Sequence, residues 1–320
     1  MNIVCATDNN FVQHCSIMLV SLLKNNSDVD VYLLTEGLTA SNESIIREEV
    51  EANGGNLHVC IVDSSIVEKF PMPTIAGLSH ISRATYYRLL ISDLLPEEVE
   101  KAIYFDCDII INGDLTELWE CDLSDYAIAA VPQVGFGFEA ERLGYPIEYG
   151  YFNAGVNVIN LKYFREHGII EELLQYIADN YSKIKFHDQD TLNGVLYNRC
   201  LHILPQWNMT SAIYVYQLKR RGDRQGGKLI NDYSEEKKNA LKYLNSPIVV
   251  HYVSRPKPWQ KNCIHPQRKL YYKYAAETIH YKNIPCQSEK ELFMPRVNAW
   301  CQERLSAVKQ FFVRTDRTRY

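Results

Sequence analysis

Short apolar stretches alternate with amphipathic segments through the first part of the chain. Met1–Ala6 is apolar and is followed by polar Asp8-Asn9-Asn10, which predicts a buried strand that ends in a loop. The next segment carries one apolar face at the helical period of about 3.6 residues, made of Phe11, Cys15, Met18 and Leu22. The same pattern then predicts a strand over Val29–Thr35, a helix over Thr39–Asn53 and a strand over Leu57–Val62.

The alternation continues beyond residue 80. Helices are predicted over Ser82–Leu94, Ile169–Tyr181 and Gln189–Leu196, and strands over Lys101–Asp106, Tyr126–Val131, Gly155–Leu161 and Pro247–His251. Alternating strands and helices are typical of a mostly parallel sheet whose two faces are covered by helices. We therefore predict an α/β fold, in which residues 206–243, with their weaker periodicity, form loops and short helices over a cleft.

The composition fits a folded protein without a membrane span. The 320 residues suit one large α/β domain with a tail, or two domains. No apolar run reaches the roughly 18–20 residues that cross a bilayer, and Met1–Ala6 lacks the basic region and cleavage site of a signal peptide. The cysteine number, nine, is odd, and Cys5, Cys60 and Cys107 stand in apolar runs, which indicates reduced thiols in a cytoplasmic protein.

The charge is distributed unevenly along the chain. The net charge is −5, yet the residues from Arg255 to Tyr320 include 14 Lys and Arg against 5 Asp and Glu. Within this region, Pro295–Tyr320 mixes apolar and basic residues as an amphipathic helix does. We expect this tail to bind an anionic membrane surface, or otherwise to pack on the body. The acidic body argues against a nucleic-acid partner.

The segment Ile103-Tyr104-Phe105-Asp106-Cys107-Asp108 gives the strongest chemical signal. Asp106 and Asp108 follow a predicted buried strand and, two residues apart on an extended segment, project to the same side. Two close carboxylates repel each other unless a cation or a proton lies between them. Their oxygen ligands suit Mg²⁺ or Mn²⁺, which can bridge to a substrate diphosphate. For an isolated pair, two solvated acids at a strand end are an equally good interpretation.

Three further segments carry candidate ligands. His251 ends a predicted strand, and an imidazole next to carboxylates favours Mn²⁺ over Mg²⁺, although a lone His in such a place is usually only hydrogen-bonded. Lys257, which is flanked by prolines, would pair with a phosphate. The other segments are Phe152-Asn153-Ala154-Gly155 and His187-Asp188-Gln189-Asp190, where Asp188 on its own is more typical of a helix N-cap.

Six segments in a fixed order carry a resemblance to a known family. They are Ala6-Thr7-Asp8-Asn9-Asn10, Thr85-Tyr86-Tyr87-Arg88-Leu89, Asp106-x-Asp108, Tyr151-Phe152-Asn153-Ala154-Gly155, Asp188-Gln189-Asp190-Thr191-Leu192-Asn193, and His251-Tyr252 with Lys257-Pro258-Trp259. From Met1 to about Trp259 the chain resembles glycosyltransferase family 8, the family of bacterial lipopolysaccharide galactosyl- and glucosyltransferases and of glycogenin. The resemblance implies a GT-A fold, a Rossmann-like sheet that binds a sugar nucleotide, which we expect over residues 1–262. The charge pattern predicts a basic helical region over residues 263–320.

The resemblance also implies roles for individual residues. The turn of Ala6, Thr7, Asp8, Asn9 and Asn10 would hold the uridine of a UDP-hexose. Asp106, Asp108 and His251 would ligate Mn²⁺, with Mg²⁺ as the alternative ion. The rest of the donor site would consist of Arg88, Cys107, Asn153, Ala154, Asp188, Gln189, Ser254 and Lys257, with Ser254 and Lys257 at the diphosphate. The catalytic residues would be Gln189, Asp188 and Asn153.

The activity that the resemblance implies is transfer of galactose or glucose from a UDP-sugar to an oligosaccharide or glycolipid acceptor, with retention of anomeric configuration. An amide such as Gln189 is a poor nucleophile, so we expect the acceptor hydroxyl to attack from the face that the phosphate leaves, while Gln189 stabilises the oxocarbenium-like centre. Synthesis of lipopolysaccharide or another cell-surface polysaccharide would place the protein in the cytoplasm, free or on the cytoplasmic face of the inner membrane.

Two positions depart from the family pattern. Pro132-Gln133 stand where family members commonly have Asp, at a position that helps to bind the acceptor, and Ser254 stands where related galactosyltransferases carry Gly.

Two alternatives also stay open. One is a haloacid-dehalogenase-type phosphatase, which likewise uses Asp-x-Asp after an apolar strand but usually on its first strand. The other is a sugar-nucleotide-binding protein without turnover. The sequence has no Gly-x-Gly-x-x-Gly after its first strand, which argues against a dinucleotide site.

Overall fold

The computed structural model describes residues 1–67, 70, 83–218, 224–225, 228–229, 240–253, 255–288 and 290–298. The strands are β1 (Asn2–Ala6), β2 (Asp30–Thr35), β3 (Asn56–Ile61), β4 (Lys101–Phe105), β5 (Ile109–Ile111), β6 (Ile128–Pro132), β7 (Phe152–Asn160), β8 (Cys200–His202), β9 (Met209–Thr210), β10 (Arg224–Gln225), β11 (Lys228–Leu229) and β12 (Val249–His251).

The described helices lie between and after these strands. They are α1 (Val12–Leu23), α2 (Ala40–Ala52), α3 (Ser64–Val67), α4 (Ile91–Leu94), α5 (Thr116–Trp119), α6 (Glu139–Leu143), α7 (Leu161–Glu166), α8 (Ile169–Asn180), α9 (His187–Leu196), α10 (Ser211–Leu218) and α11 (Arg268–Ala275). Short 3₁₀ segments cover Arg83–Leu90, Ile147–Tyr149, Tyr181–Lys183 and Pro205–Trp207.

Seven strands form the central sheet in the order β3-β2-β1-β4-β7-β6-β8. β7 pairs antiparallel with both β4 and β6, while the other neighbouring strands pair in parallel. The prediction of a mostly parallel α/β sheet is therefore confirmed, with β7 as the reversed strand.

Both faces of the central strands of this sheet are buried, as their apolar sequences predict. In β4, Ala102 and Tyr104 pack into the core on one face, and Ile103 and Phe105 pack into the core on the other. Successive side chains of a strand point to opposite faces, so a strand without polar positions must be covered twice.

The strand order changes direction beside β1. From β1 the chain passes to β2 and β3 on one side and then returns to β4 on the other, where Cys5 is paired with Phe105. In open α/β sheets, ligands bind outside the carboxyl ends of the strands at such a switch point. The residues that follow β1 and β4, Ala6–Asp8 and Asp106–Asp108, stand at this edge.

A second, three-stranded sheet brings a distant segment to the same edge. β12 pairs antiparallel with β5 and parallel with β9, and His251 is the register partner of Ile109. The backbone N–H of Tyr252 donates to the carbonyl of Asp108 at 3.0 Å. This pairing places His251 beside Asp108.

The helix predicted over Ser82–Leu94 is wrong in type. Ser82 lies outside the described residues, and Arg83–Leu90 is a 3₁₀ segment that is followed by the short helix α4. At three residues per turn, side chains three positions apart lie on one side. Thr85 and Arg88 are so related, and the carbonyl of Thr85 accepts a hydrogen bond from Arg88 Nε at 3.1 Å. The tighter segment thereby points both side chains toward Asp188.

The described part of the C-terminal region packs on the sheet body. Tyr271 and Tyr274 of α11 share a core with Ile17 of α1 and Val250 of β12. Residues 293–298 are helical, and residues 299–320 of the predicted tail lie outside the described residues, so the amphipathic helix over Pro295–Tyr320 stays a prediction. Within the described ranges, no helix has both the length and the apolar character needed to cross a bilayer.

A buried carboxylate fastens this region to α2. Glu49 is fully buried, and its carboxylate accepts the backbone N–H groups of Ile279 and His280 at 2.9–3.0 Å. We predict that Glu49→Ala lowers the free energy of unfolding by about 2–4 kcal/mol, because it leaves two backbone donors without partners. Chemical denaturation would measure this loss.

The matched control is Glu51→Ala on the same helix. The side chain of Glu51 is 60% exposed and lies 3.7 Å from Arg47, so its loss should cost less than about 0.5 kcal/mol. Equal losses in the two variants would contradict the role assigned to Glu49.

Candidate active site

A cleft opens at the carboxyl ends of β1 and β4. Its volume is about 450 Å³, within the range of roughly 300–1,000 Å³ that is common for small-molecule sites. Most residues predicted for the donor and the metal line it: Ala6, Thr7, Asp8, Arg88, Asp106, Cys107, Asp108, Asn153, Ala154, Asp188, Gln189, His251 and Lys257. The fold thus gathers side chains from distant parts of the chain in one cleft.

Among the described residues predicted for the donor, Asn9 and Asn10 do not line this cleft. Asn9 Oδ1 accepts the backbone N–H of Thr39 at 2.8 Å, so this side chain ties the loop after β1 to the start of α2. Asn10 donates its backbone N–H to Asp8 Oδ1 at 2.8 Å. Ser254 lies outside the described residues.

Asp106, Asp108 and His251 form the one group of three or more candidate metal ligands found in the described part of the chain. Their ligand atoms all lie within 4.8 Å of one another. His251 Nε2 is 3.1 Å from Asp108 Oδ1 and 3.7 Å from Asp106 Oδ2. Carboxylate oxygens and an imidazole nitrogen are ligands for divalent cations, so this group can hold a divalent metal ion.

Arg88 is a buried cation that connects this group with the opposite wall of the cleft. Its Nη2 lies 2.6 Å from Asp106 Oδ1, and its Nε lies 2.9 Å from Asp188 Oδ2. Nη1 donates to the carbonyl of Ala154, and the guanidinium lies over the ring of Tyr104, 4.3 Å from its centroid. These contacts fix Arg88 and, through it, the two carboxylates.

Carboxylates outnumber fixed cations around the cleft. The lining acids are Asp8, Asp106, Asp108 and Asp188, and the lining cations are Arg88 and Lys257. Lys257 Nζ lies 2.5 Å from Asp108 Oδ2. Burial opposes the charged form of Asp108, but Lys257 and His251 outweigh it and hold the pKa of this carboxyl well below its ordinary value. The remaining negative charge attracts a further cation.

Asp188 lies inside a helix rather than at its N-cap. α9 begins at His187, and Asp188 stands in its first turn. Asp188 Oδ1 accepts the hydroxyl of Thr85 at 2.5 Å, and Arg88 holds Oδ2. Burial raises the pKa of Asp188 to about 6, although Arg88 and Thr85 favour the charged form. Both oxygens of this carboxylate are thus engaged.

Gln189 is held by hydrogen bonds at both ends of its amide. Its Oε1 accepts from Asn153 Nδ2 at 2.9 Å and from the backbone N–H of Ala154 at 3.1 Å. Its Nε2 donates to the hydroxyl of Tyr151 at 2.9 Å and to Gln133 Oε1 at 3.2 Å. Because an amide has two acceptor and two donor positions, Gln189 is fully satisfied.

Asn208, whose sequence context predicts no role, contacts His251 of the metal group, as we name the set Asp106, Asp108 and His251. Asn208 is fully buried, and its Oδ1 lies 2.9 Å from His251 Nδ1. Its Nδ2 donates to Asn153 Oδ1 at 2.8 Å. The residue falls in the stretch 206–243, where weak periodicity predicts loops and short helices. The structure has in addition the short strands β9, β10 and β11 there, which are too short to give a period of their own. The available signal was a lone amide between the apolar residues Trp207 and Met209, both of which are buried.

Comparison with known proteins identifies relatives along most of the chain. The profile described as glycosyl transferase family 8 matches residues 2–263. General stress protein A of Bacillus subtilis is 31% identical over 284 residues, which cover 87% of this chain and 94% of that protein. The lipopolysaccharide 1,2-glucosyltransferase of Escherichia coli is 26% identical over 297 residues, which cover 91% of this chain and 82% of that protein.

A solved structure matches the architecture. The crystal structure of the galactosyltransferase LgtC in complex with donor and acceptor sugar analogues superposes with a TM-score of 0.75 at 24% identity, covering 87% of this chain and 96% of the other. This likeness confirms the predicted GT-A fold. Because the family profile spans about four fifths of the sequence, the chain belongs to glycosyltransferase family 8.

Proposed function

We propose that this protein is a Mn²⁺-dependent retaining glycosyltransferase that moves galactose or glucose from a UDP-sugar to a glycan acceptor. The observation that carries the proposal is the grouping of Asp106, Asp108 and His251 beside Lys257, at the switch point of the sheet. A metal ion and a fixed cation can together bind a diphosphate, and this edge of the sheet has candidate ligands for the ion beside the ammonium group of Lys257.

The residues around the group fit a bound ion. A Cβ atom at Gly155 would lie 2.2 Å from His251 Cε1 and 2.7 Å from Asp106 Oδ2, so only glycine leaves these ligands their places. An imidazole with two carboxylates favours Mn²⁺ over Mg²⁺, which prefers oxygen ligands alone. A bound divalent cation would supply positive charge beside the β-phosphate, where negative charge grows as the glycosidic bond breaks.

The protein's own groups would complete this stabilisation. Lys257 contacts Asp108, one of the proposed metal ligands, so its ammonium group would also contact a diphosphate bound to the ion. A fixed cation interacts with charge that develops only in the transition state. It therefore lowers the free energy of the transition state more than that of the ground state. Asp8, at the end of β1, would contact the base or ribose of the uridine.

The hydrogen bonds around the hexose site support attack from the leaving-group face. A double displacement needs a free nucleophile on the opposite face of the sugar. Gln189 Oε1 already accepts two hydrogen bonds, and both oxygens of Asp188 are engaged by Thr85 and Arg88. We therefore propose that the acceptor hydroxyl attacks the anomeric carbon as UDP leaves, and that the departing phosphate takes its proton.

The departure at Gln133 bears on which acceptor the protein uses. Gln133 Oε1 accepts from Gln189 Nε2 at 3.2 Å, so a neutral amide adjoins the residue assigned to catalysis where relatives commonly carry a carboxylate. An acceptor with hydroxyl groups suits such an amide. The names of the relatives, one a lipopolysaccharide glucosyltransferase, support an oligosaccharide or glycolipid of the cell surface.

The first prediction concerns the donor and the metal. Wild-type protein should release UDP from UDP-galactose or UDP-glucose, slowly without acceptor, when Mn²⁺ is present and not when it is chelated. Asp108→Ala should reduce this release at least about 100-fold, because it removes a metal ligand. Asp179→Ala, which changes an exposed helical Asp, is the matched control and should behave as wild type.

Two results would contradict the proposed glycosyltransferase function. If the protein hydrolyses a generic phosphate ester, loses this activity when Asp106 is replaced, and releases no UDP, it is a haloacid-dehalogenase-type phosphatase. Tight binding of UDP-sugars without release, even with candidate acceptors, would indicate a binding protein without turnover.

The second prediction concerns the space at Gly155. Gly155→Ala should weaken Mn²⁺ binding at least about tenfold, because the added methyl group displaces His251. The control is Gly137→Ala, where a Cβ atom would find its nearest neighbour, Ile147 Cγ1, only at 4.0 Å. Isothermal titration calorimetry would measure both variants, and unchanged binding in Gly155→Ala would argue against this ligand set.

The third prediction concerns covalent intermediates. After rapid quenching with a deoxyfluoro UDP-sugar, the intact mass of the wild-type protein should show no hexosyl adduct. Gln189→Ala should lower kcat about 100-fold through lost transition-state stabilisation, again without an adduct. An adduct mapped to Asp188 or Gln189 would replace same-face attack with double displacement.

A further inference from the structure

The orientation of the side-chain amides near the metal group follows from backbone donors. The backbone N–H of Gly155 can only donate, and it lies 3.0 Å from Asn153 Oδ1. That contact identifies the oxygen of the Asn153 amide. The atom of Asn208 that lies 2.8 Å from the same oxygen must then be the donor Nδ2.

The other end of the Asn208 amide is fixed by elimination. With Nδ2 directed to Asn153, the atom that lies 2.9 Å from His251 Nδ1 is Oδ1, which only accepts. His251 Nδ1 must therefore carry a proton. The assignment follows from one backbone N–H group through two buried amides.

The fold holds Asn208 in this place. It follows the 3₁₀ turn Pro205–Trp207 and directly precedes β9, whose Thr210 is the register partner of His251 in β12. The residue is fully buried, so water does not compete for its amide. Its position relative to His251 is thus set by strand pairing.

We propose that Asn208 is a positioning residue that keeps a proton on His251 Nδ1 and so keeps the Nε2 lone pair available to the metal ion. The inference rests on the proposed metal site and deepens it. His251 Nε2 faces the carboxylates of Asp106 and Asp108 at 3.1–3.7 Å. Without an acceptor at Nδ1, these carboxylates would draw the proton of a neutral imidazole to Nε2, the nitrogen that must bind the metal.

The Asn208 side-chain amide connects the metal group to Asn153 and Gln189, the residues proposed to surround the hexose. Asn208 holds Asn153 Oδ1, and Asn153 Nδ2 donates to Gln189 Oε1 at 2.9 Å. A change that spares the acceptor at His251 but removes the donor to Asn153 should therefore leave metal binding intact and disturb Gln189. Asn208→Asp is such a change, because a carboxylate accepts from Nδ1 but opposes Asn153 Oδ1 with a second acceptor.

The location of the proton can be observed directly. In protein labelled with ¹⁵N-histidine, long-range ¹H–¹⁵N correlation spectra distinguish protonated from unprotonated ring nitrogens. The His251 signals are assigned by their loss in His251→Asn. We expect Nδ1 to be protonated in wild type, both without metal and with diamagnetic Mg²⁺, and in Asn208→Asp. In Asn208→Ala the neutral ring should shift its proton to Nε2.

The spectra contain their own controls. The signals of His14, His187 and His265, which do not contact Asn208, should be unchanged in both variants, showing that the fold persists. An unprotonated Nδ1 in wild type would overturn the inference, and so would an unchanged His251 spectrum in Asn208→Ala.

Metal affinity and turnover give the second readout. Asn208→Ala should weaken Mn²⁺ binding about 10–100-fold, as expected for loss of a group that orients a metal-binding His. Asn208→Asp should bind Mn²⁺ within about threefold of wild type, yet show kcat for UDP release lowered at least about tenfold. A purely structural role would not separate the two quantities in this way.

The outcomes separate the inference from the function on which it rests. Equal loss of Mn²⁺ affinity in Asn208→Asp and Asn208→Ala, or none in either, would refute the role of Asn208. If wild type bound no Mn²⁺ at all, the proposed function would fail, and the Nδ1 signal alone would then decide whether Asn208 fixes the imidazole.

Discussion

The electrostatic cost of two carboxylates at the end of a buried strand governs the arrangement of this cleft. Asp106 and Asp108 are held by Arg88 on one side and by Lys257 on the other, and both cations are themselves largely buried. Arg88 also pairs with Asp188, so two cations face four lining carboxylates, Asp8 among them, and negative charge remains in excess. A divalent ion on Asp106, Asp108 and His251 would offset this excess of negative charge.

The second constraint is that buried polar groups need partners, and here backbone N–H groups decide how they pair. The amides of Ala154 and Gly155 in β7 orient Gln189 and Asn153, and through Asn208 they orient His251. The groups assigned to catalysis and to metal binding thus share one set of hydrogen bonds. Such a network holds reacting groups in position without reorganisation, which is the usual source of transition-state stabilisation by polar groups.

Much of this could be predicted from the sequence because local pattern and local chemistry coincide. Apolar strands such as Lys101–Phe105 predict a doubly covered sheet, and the caps Thr39 and Asn53 mark the ends of α2 where the helix was expected. Two features were beyond its reach. The 3₁₀ segment Arg83–Leu90 carries Arg88 to the distant carboxylates of Asp106 and Asp188, and Asn208 meets His251 through the pairing of β9 with β12. Both depend on long-range contacts that leave no periodicity in the chain.

The most direct test of the central claim is a crystal structure with UDP and Mn²⁺, with diffraction data collected at the manganese absorption edge. We predict one anomalous peak bound by Asp106, Asp108 and His251, with the diphosphate between this ion and Lys257. UDP bound at the carboxyl ends of β1 and β4 with no ion on these three residues, or with the ion on other ligands, would contradict the account.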